Sequence, residues 1–331
     1  MVRIGYALSS EEHRPGDLVR HARLAEEAGF SFALISDHFH PWIDAQGQSP
    51  FVWSVIGAIA EATSNLELGT GVTCPTIRIH PAIIAQAAAT AGAMMEGRFF
   101  LGVGTGENLN EHILGDRWPD WDVRARMLRE AVQVIRELWN GEVASFEGEF
   151  YTVENARLYT LPERRVPIHV AASGPRAASL AGEIGDGFIG TSPEKDVIEA
   201  FEAGRRGTRP RYGQLTVCWG RDEKAARKTA HLMWPTAAIP GEAGQELPNP
   251  AHVEQLAKIV TEDMIAERIV CGPDIDRHVE RIQAYVDAGY DHVYIHQVGP
   301  DQEGFLEAYA RDVLPRFAPA TRARRSEQGA A

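Results

Sequence analysis

Phe32-Ala33-Leu34-Ile35-Ser36-Asp37-His38-Phe39-His40-Pro41-Trp42 is the stretch whose reading decides the fold. Its first four residues form an apolar run of strand length bounded by polar residues, which reads as a buried strand. Crowded at the carboxyl end of that run are a carboxylate, two imidazoles and an indole. Such groups move protons and stack on flat rings, and folds of parallel strands and helices keep their chemistry at that end of the strands. The stretch therefore predicts a parallel α/β protein with a catalytic pocket at Asp37, His38 and Trp42. An isolated histidine is more often a satisfied polar group; Asp37 and Trp42 beside it favour function for His38, while His40 stays open between the two readings.

Working outward, the same strand-then-helix unit recurs. Strand-like runs fall at 2–7, 32–37, 66–71, 99–103, 167–172, 186–190, 213–219 and 291–297. Amphipathic helical stretches separate them, for example 17–28, 51–63, 82–95 and 122–139. Ala28-Gly29 and Gly185-Asp186-Gly187 suit helix ends and turns. Eight strands in this alternation favour a closed (β/α)8 TIM barrel over an open doubly wound sheet. The chain has 331 residues, and such a barrel needs roughly 250, so insertions are expected. One, at about 140–165 with Phe146-Glu147-Gly148-Glu149-Phe150-Tyr151, reads as a short hairpin. The other, at about 234–262, holds Pro235, Pro240, Gly241, Gly244, Pro248 and Pro250 and reads as a long loop serving as lid or pocket wall. The expectation is one barrel domain over 1–321, followed by a polar, disordered tail over 322–331.

A formal net charge of −13 disfavours nonspecific attraction to nucleic acid or an anionic membrane. Cys74, Cys218 and Cys271 are too few and too scattered for a disulfide framework or a thiolate metal site. Neither histidine of the 36–42 stretch joins a metal-ligand pattern such as H-E-x-x-H, so no metal is expected. No apolar run approaches the ~18–20 residues of a membrane span. Met1 to Ala7 reads as a strand rather than a secretory signal, and a reduced cytoplasm is the expected home.

Three further motifs bear on chemistry. Gly102-Val103-Gly104-Thr105-Gly106-Glu107-Asn108-Leu109-Asn110-Glu111 follows a strand. Its alternating glycines either form a tight turn or let backbone amides approach a planar or anionic ligand. The spacing G-x-G-x-G is not the dinucleotide fingerprint, which argues against a nicotinamide dehydrogenase. Leu68-Gly69-Thr70-Gly71-Val72-Thr73-Cys74-Pro75 ends a strand in small residues, either as a simple turn or as a seat for a flat ring. Ala171-Ala172-Ser173-Gly174-Pro175-Arg176 is an ordinary helix N-cap or a phosphate cradle.

Taken together these residues resemble the luciferase-like superfamily, and within it the coenzyme F420-dependent glucose-6-phosphate dehydrogenase group. The resemblance runs from about residue 3 to residue 316. Its most specific pieces are 36–42, Gly102 to Glu111, Ile84-Ala85-Gln86-Ala87, and Ala181-Gly182 through Gly185-Asp186-Gly187-Phe188-Ile189. It implies a (β/α)8 barrel, usually a homodimer, that binds F420 at the carboxyl ends of the strands. By the same resemblance Asp37 contacts the deazaflavin head, His38 and Glu107 are the acid–base pair, and Trp42 lines the substrate side. Asn110, Ser173, Gly174, Arg176 and Ala177 hold ring and phosphate-bearing tail. Thr105 and Gly106 also bind the cofactor, Cys74 replaces a cofactor-contacting threonine, and the family's cis peptide falls at Gly71-Val72.

The resemblance further implies hydride transfer between a hydroxyl-bearing carbon and C5 of the cofactor, with an alcohol, sugar or sugar phosphate as substrate. The sugar-phosphate enzymes of the group use a threonine, two lysines and an arginine. Thr191 and Arg268 keep two of these. The first lysine falls at Glu194, or at Lys195 if the loop slips by one, and the second falls near Gly244. The expected phosphate site, Thr191 with Lys195 and Arg268, is therefore incomplete. Two other readings compete: an FMN-dependent monooxygenase on the same barrel, and an F420-binding protein without turnover.

Overall fold

The structure is a computed structural model and describes residues 2–318 apart from 205, 206, 240 and 242. The tail expected from Arg322 onward lies outside the described residues.

Eight parallel strands close into a barrel. They are β1 (Arg3–Leu8), β2 (Phe32–Ile35), β3 (Glu67–Thr70), β4 (Phe99–Val103), β7 (Ile168–Ala171), β8 (Gly187–Gly190), β9 (Arg211–Cys218) and β11 (His292–Gln297). Each pairs with the next in that order, β8 pairs with β9, and β11 returns to β1 through Arg3↔His292 to Tyr6↔Ile295. All eight fall on the runs read from the sequence. The physical signal is strong because a barrel strand is covered on both faces, so it reads as an uninterrupted apolar run. Phe32, Leu34, Phe100, Ile189, Tyr212 and Tyr294 fill the barrel interior, while a larger apolar cluster lies between the strands and the outer helices.

The helices that close the early units are α1 (Pro15–Ala28), α2 (Val52–Ala62), α3 (Pro81–Met94), the short α4 (Asn108–Glu111) and α5 (Trp121–Leu138). α1 ends on Gly29 at φ 95°, whose N–H reaches the carbonyls of Ala25 and Glu26, the left-handed stop that Ala28-Gly29 suggested. The first insertion is the antiparallel hairpin of β5 (Ala144–Glu147) and β6 (Thr152–Ala156). Glu130 of α5 holds its turn by accepting from the amides of Glu149, Phe150 and Tyr151 at 2.7–3.0 Å.

After β7 come α6 (Pro175–Ile184), β8, α7 (Lys195–Ala203), β9 and α8 (Glu223–Met233). The second insertion is largely helical rather than the loop its prolines suggested. It contains a 3-10 turn at Pro235–Ala238, α9 (Ala243–Glu246) and α10 (Pro250–Ala257), and ends where α11 (Glu262–Arg268) begins. Asn249 caps α10 by accepting from the His252 amide, and Thr261 caps α11 by accepting from the Met264 amide. Pro250 sits where a first-turn proline costs nothing, because its missing N–H would have had no helical partner. The short β10 (Val270–Cys271) pairs with the end of β9, and α12 (Ile275–Ala288) leads into β11. The insertion is tied across the mouth of the barrel. Asn108 donates to the Glu246 carbonyl at 2.9 Å, Gln46 to the Met233 carbonyl at 2.9 Å, and the Asp44 amide to Glu254 at 3.0 Å. Among the described residues no helix is long and apolar enough to cross a membrane.

Candidate active site

A cavity of about 940 Å³ opens at the carboxyl ends of the barrel strands. β2 delivers Asp37, His38 and Trp42 to it, as the opening stretch of sequence suggested. β3 delivers Gly71, Val72 and Cys74; the β4 turn and α4 deliver Thr105, Gly106, Glu107 and Asn110. Ser173, Gly174, Arg176 and Ala177 at the start of α6 form the far wall, and Thr191 follows β8. Lys195 and Arg268 are not among the lining residues. Lys195 is the first residue of α7 and Arg268 the last of α11, and both side chains are exposed. A cation at a helix C-terminus is favourable on its own account, since it complements the helix dipole. His40 also stays outside: its Nδ1 meets the Leu109 carbonyl at 2.8 Å and its ring stacks on His112.

His38 stands between two carboxylates. Its Nδ1 lies 3.3 Å from Glu11 Oε1 and its Nε2 lies 3.4 Å from Glu107 Oε2, with Trp42 edge-on to the ring at 5.4 Å. Glu11 comes from the turn after β1, is 2 % exposed, and accepts from the hydroxyls of Ser9 and Ser36 at 2.9 and 2.7 Å. Sequence reasoning missed it, although it sits at a strand's carboxyl end as Asp37 does. Burial alone would lower the pKa of His38, but Glu11, Glu107 and Asp37 outweigh burial and raise it. Burial pushes the Glu107 carboxyl up, with His38 and an Asn110 hydrogen bond only partly offsetting it. Burial opposes ionisation of Glu11 as well, yet His38 and the Ser36 and Ser9 hydroxyls hold its carboxyl below the usual range. Two carboxylates of one type are thus driven in opposite directions by their surroundings, a pattern found where acid and base roles are divided.

A second missed group is Arg78, whose side chain is 6 % exposed. It donates to Asp37 Oδ1 at 3.0 Å and lies 3.6 Å from Glu111, while Thr73 donates to the other Asp37 oxygen at 2.7 Å. Buried carboxylates require such partners. Asn110 braces the mouth by accepting from the amides of Phe39 and His40 and donating to Glu107 at 3.1 Å.

The floor is made of small residues. The Gly71–Val72 peptide is cis. A Cβ on Gly104 would come within 2.9 Å of Val72, and one on Gly106, at φ +82°, within 2.6 Å of the Cys74 sulfur. This side of the cavity is flat and stays so because glycine holds both positions. At the far wall Gly174 is the extended N-cap of α6 with no side-chain cap, which leaves the first-turn amides of a ten-residue helix at the cavity without side-chain acceptors. Arg176 lies over the Trp121 ring at 4.2 Å and pairs with Asp122. A flat floor at one end and orphan amides with an arginine at the other suit a planar ring with an anionic tail.

A family model of the luciferase-like monooxygenases matches residues 1–292. The chain belongs to that family. Among its relatives, the F420-dependent glucose-6-phosphate dehydrogenase of Microbacterium testaceum is 40% identical, covering 96% of this chain and 97% of that one. The enzyme of the same name from Beutenbergia cavernae is 39% identical, covering 96% and 98%. Among solved structures, an F420-dependent secondary alcohol dehydrogenase in complex with an F420-acetone adduct superposes with a TM-score of 0.88. It is 30% identical, and the match covers 95% of this chain and 98% of that one. The barrel of this luciferase-like protein is thus the family's own.

Proposed function

We propose that this luciferase-like protein is an F420-dependent dehydrogenase that oxidises a hydroxyl-bearing carbon. The observation that carries the reading is His38 clamped between Glu11 and Glu107 above a glycine floor. The names of the relatives supply the cofactor, and the cavity fits it. Asp37, Gly71, Val72, Cys74, Thr105, Gly106 and Asn110 would hold the deazaflavin end. Ser173, Gly174, Arg176 and Ala177 would hold the phosphate-bearing tail through the α6 N-terminus. Bound there, F420 supplies a carbon, C5, that accepts the carbinol hydrogen with its electron pair.

The protein's part is to orient the alcohol and handle its proton. The Glu11 carboxylate lies 3.3 Å from Nδ1 of His38 and attracts the ring's proton to that side, so the neutral imidazole would offer Nε2 as the base for the hydroxyl proton. Burial favours the protonated form of the Glu107 carboxyl, which suits it to donate a proton toward the reduced cofactor. Trp42 packs edge-on beside His38 and borders the place of the alcohol's carbon substituents.

The test is a titration of the protein with F420 and, in parallel, with FMN, followed by an alcohol panel with bleaching of F420 as the readout. F420 binds and is bleached; Glu107→Gln still binds it but turns over about 10²–10⁴-fold more slowly. Binding of FMN in place of F420 would sink the reading, and tight F420 binding with no turnover of any alcohol would make the protein a carrier.

A further inference from the structure

The dehydrogenase reading leaves the substrate open between sugar phosphates and plain alcohols, and the charges of the cavity decide between them. Among the described residues the lining side chains able to carry positive charge are His38, His296 and Arg176. Each already faces a carboxylate. His38 lies between Glu11 and Glu107. His296 Nε2 is 2.9 Å from Glu12 Oε2, with both side chains 2 % exposed. Arg176 pairs with Asp122 and stands at the end of β7, three strands round the barrel from β2. Pro240 and Glu242, the two residues within 234–244 that the structure does not describe, are not cations.

Among the described residues the wall beside His38 is instead largely apolar, with Thr236 and Gln245 as neutral polar members. Trp42, Trp234, Ala237, Ile239 and Gly244 line it. Gln46 holds it together: it accepts from the Trp42 amide at 2.9 Å and donates to the carbonyl of Met233, next to Trp234. The Trp234 ring stands 4.4 Å from His296. A phosphate ester here would give up its water, meet no unpaired cation among the described residues, and sit beside the Glu11 carboxylate. Burying a charge without partners is strongly unfavourable, whereas an alkyl group gains by the same burial.

We infer, resting on the dehydrogenase reading above, that the substrate is an uncharged, largely apolar alcohol whose hydroxyl meets His38 and whose carbon substituents lie against Trp42, Trp234 and Ile239. A sugar phosphate is disfavoured because no described residue offers an uncommitted cation at that end. Gly244 marks the place where specificity is set. A Cβ there would meet only the Trp42 ring, at 3.8 Å, so a longer side chain has room.

The experiment is a substrate comparison on the wild-type protein loaded with F420, using propan-2-ol, cyclohexanol, glucose and glucose 6-phosphate. The kcat/KM for the better simple alcohol exceeds that for glucose 6-phosphate by at least about 100-fold, the equivalent of two missing charge-assisted contacts. Tryptophan fluorescence, read without turnover, changes with cyclohexanol and not with glucose 6-phosphate. In Gly244→Lys the ratio of kcat/KM for glucose 6-phosphate to that for cyclohexanol rises at least about tenfold. Efficient bleaching of F420 by glucose 6-phosphate in the wild type overturns the inference and leaves the dehydrogenase reading standing. Failure of F420 to bind, or to be bleached by any compound of the panel, overturns both.

Discussion

His38 derives its proton chemistry from two carboxylates that the fold treats unequally. Glu11, fed by two serine hydroxyls, stays ionised and draws the imidazole toward its charged form. Because the folded pKa of His38 lies above its ordinary value, the stability it contributes is present below the unfolded imidazole pKa. That stability is lost as pH rises through the raised one. Catalysis as a base runs the other way, since Nε2 must first be free. In Glu11→Gln the largest contribution raising the His38 pKa is gone. We expect the acid limb of the kcat/KM profile to move to lower pH, with kcat reduced about tenfold or more as the ring loses its brace. A profile that stays in place would assign that limb to another group. The place of Asp37 and His38 at the pocket could be read from the chain because both follow a strand directly. Glu11 shares that strand-end position, but its pairing with His38, like that of Arg78 with Asp37, joins residues far apart in sequence and could not be read.

Among the elements, β3 and β4 approach each other closely at the site's floor. Thr70 donates its hydroxyl to the Gly102 carbonyl at 2.7 Å and accepts from the Gly102 amide at 3.0 Å. A Cβ on Gly102 would fall 2.0 Å from the Thr70 carbonyl oxygen, and backbone in a closed barrel has no room to yield. Gly102→Ala should therefore destabilise by about 1–3 kcal/mol, as overpacking does, measured as a lower denaturant midpoint at unchanged slope. An unchanged midpoint would mean that the strands separate freely. The glycine was visible in the sequence as part of an alternating run, but its steric reason was not. The second insertion teaches the converse. Its prolines suggested a loop, while Asn249-Pro250 and Thr261 were start signals for α10 and α11 that outweighed them.

On the scale of the whole molecule, the cavity collects side chains from loops after most of the barrel strands, so a bound cofactor ties these loops to one another. A ligand that binds only the folded state at 100 times its Kd adds about 2.7 kcal/mol to stability. A thermal scan with F420 at that excess should show a clear rise in Tm, and one with FMN at the same concentration none. Equal shifts with both would remove the preference for the deazaflavin.

Local periodicity is enough to place eight buried strands, because strands sheathed on both faces must be apolar throughout and the barrel then follows from their alternation with helices. It also places Asp37, His38, Glu107 and the α6 N-terminus at the mouth, since these residues directly follow strands. Only the tertiary structure decided which charges meet. It set Glu11 against His38, Arg78 between Asp37 and Glu111, Glu12 against His296, and turned Lys195 and Arg268 outward. Beyond a strand end, a side chain's direction depends on loop course and long-range pairing. Electrostatic energy depends on distances of a few ångströms that no spacing along the chain encodes.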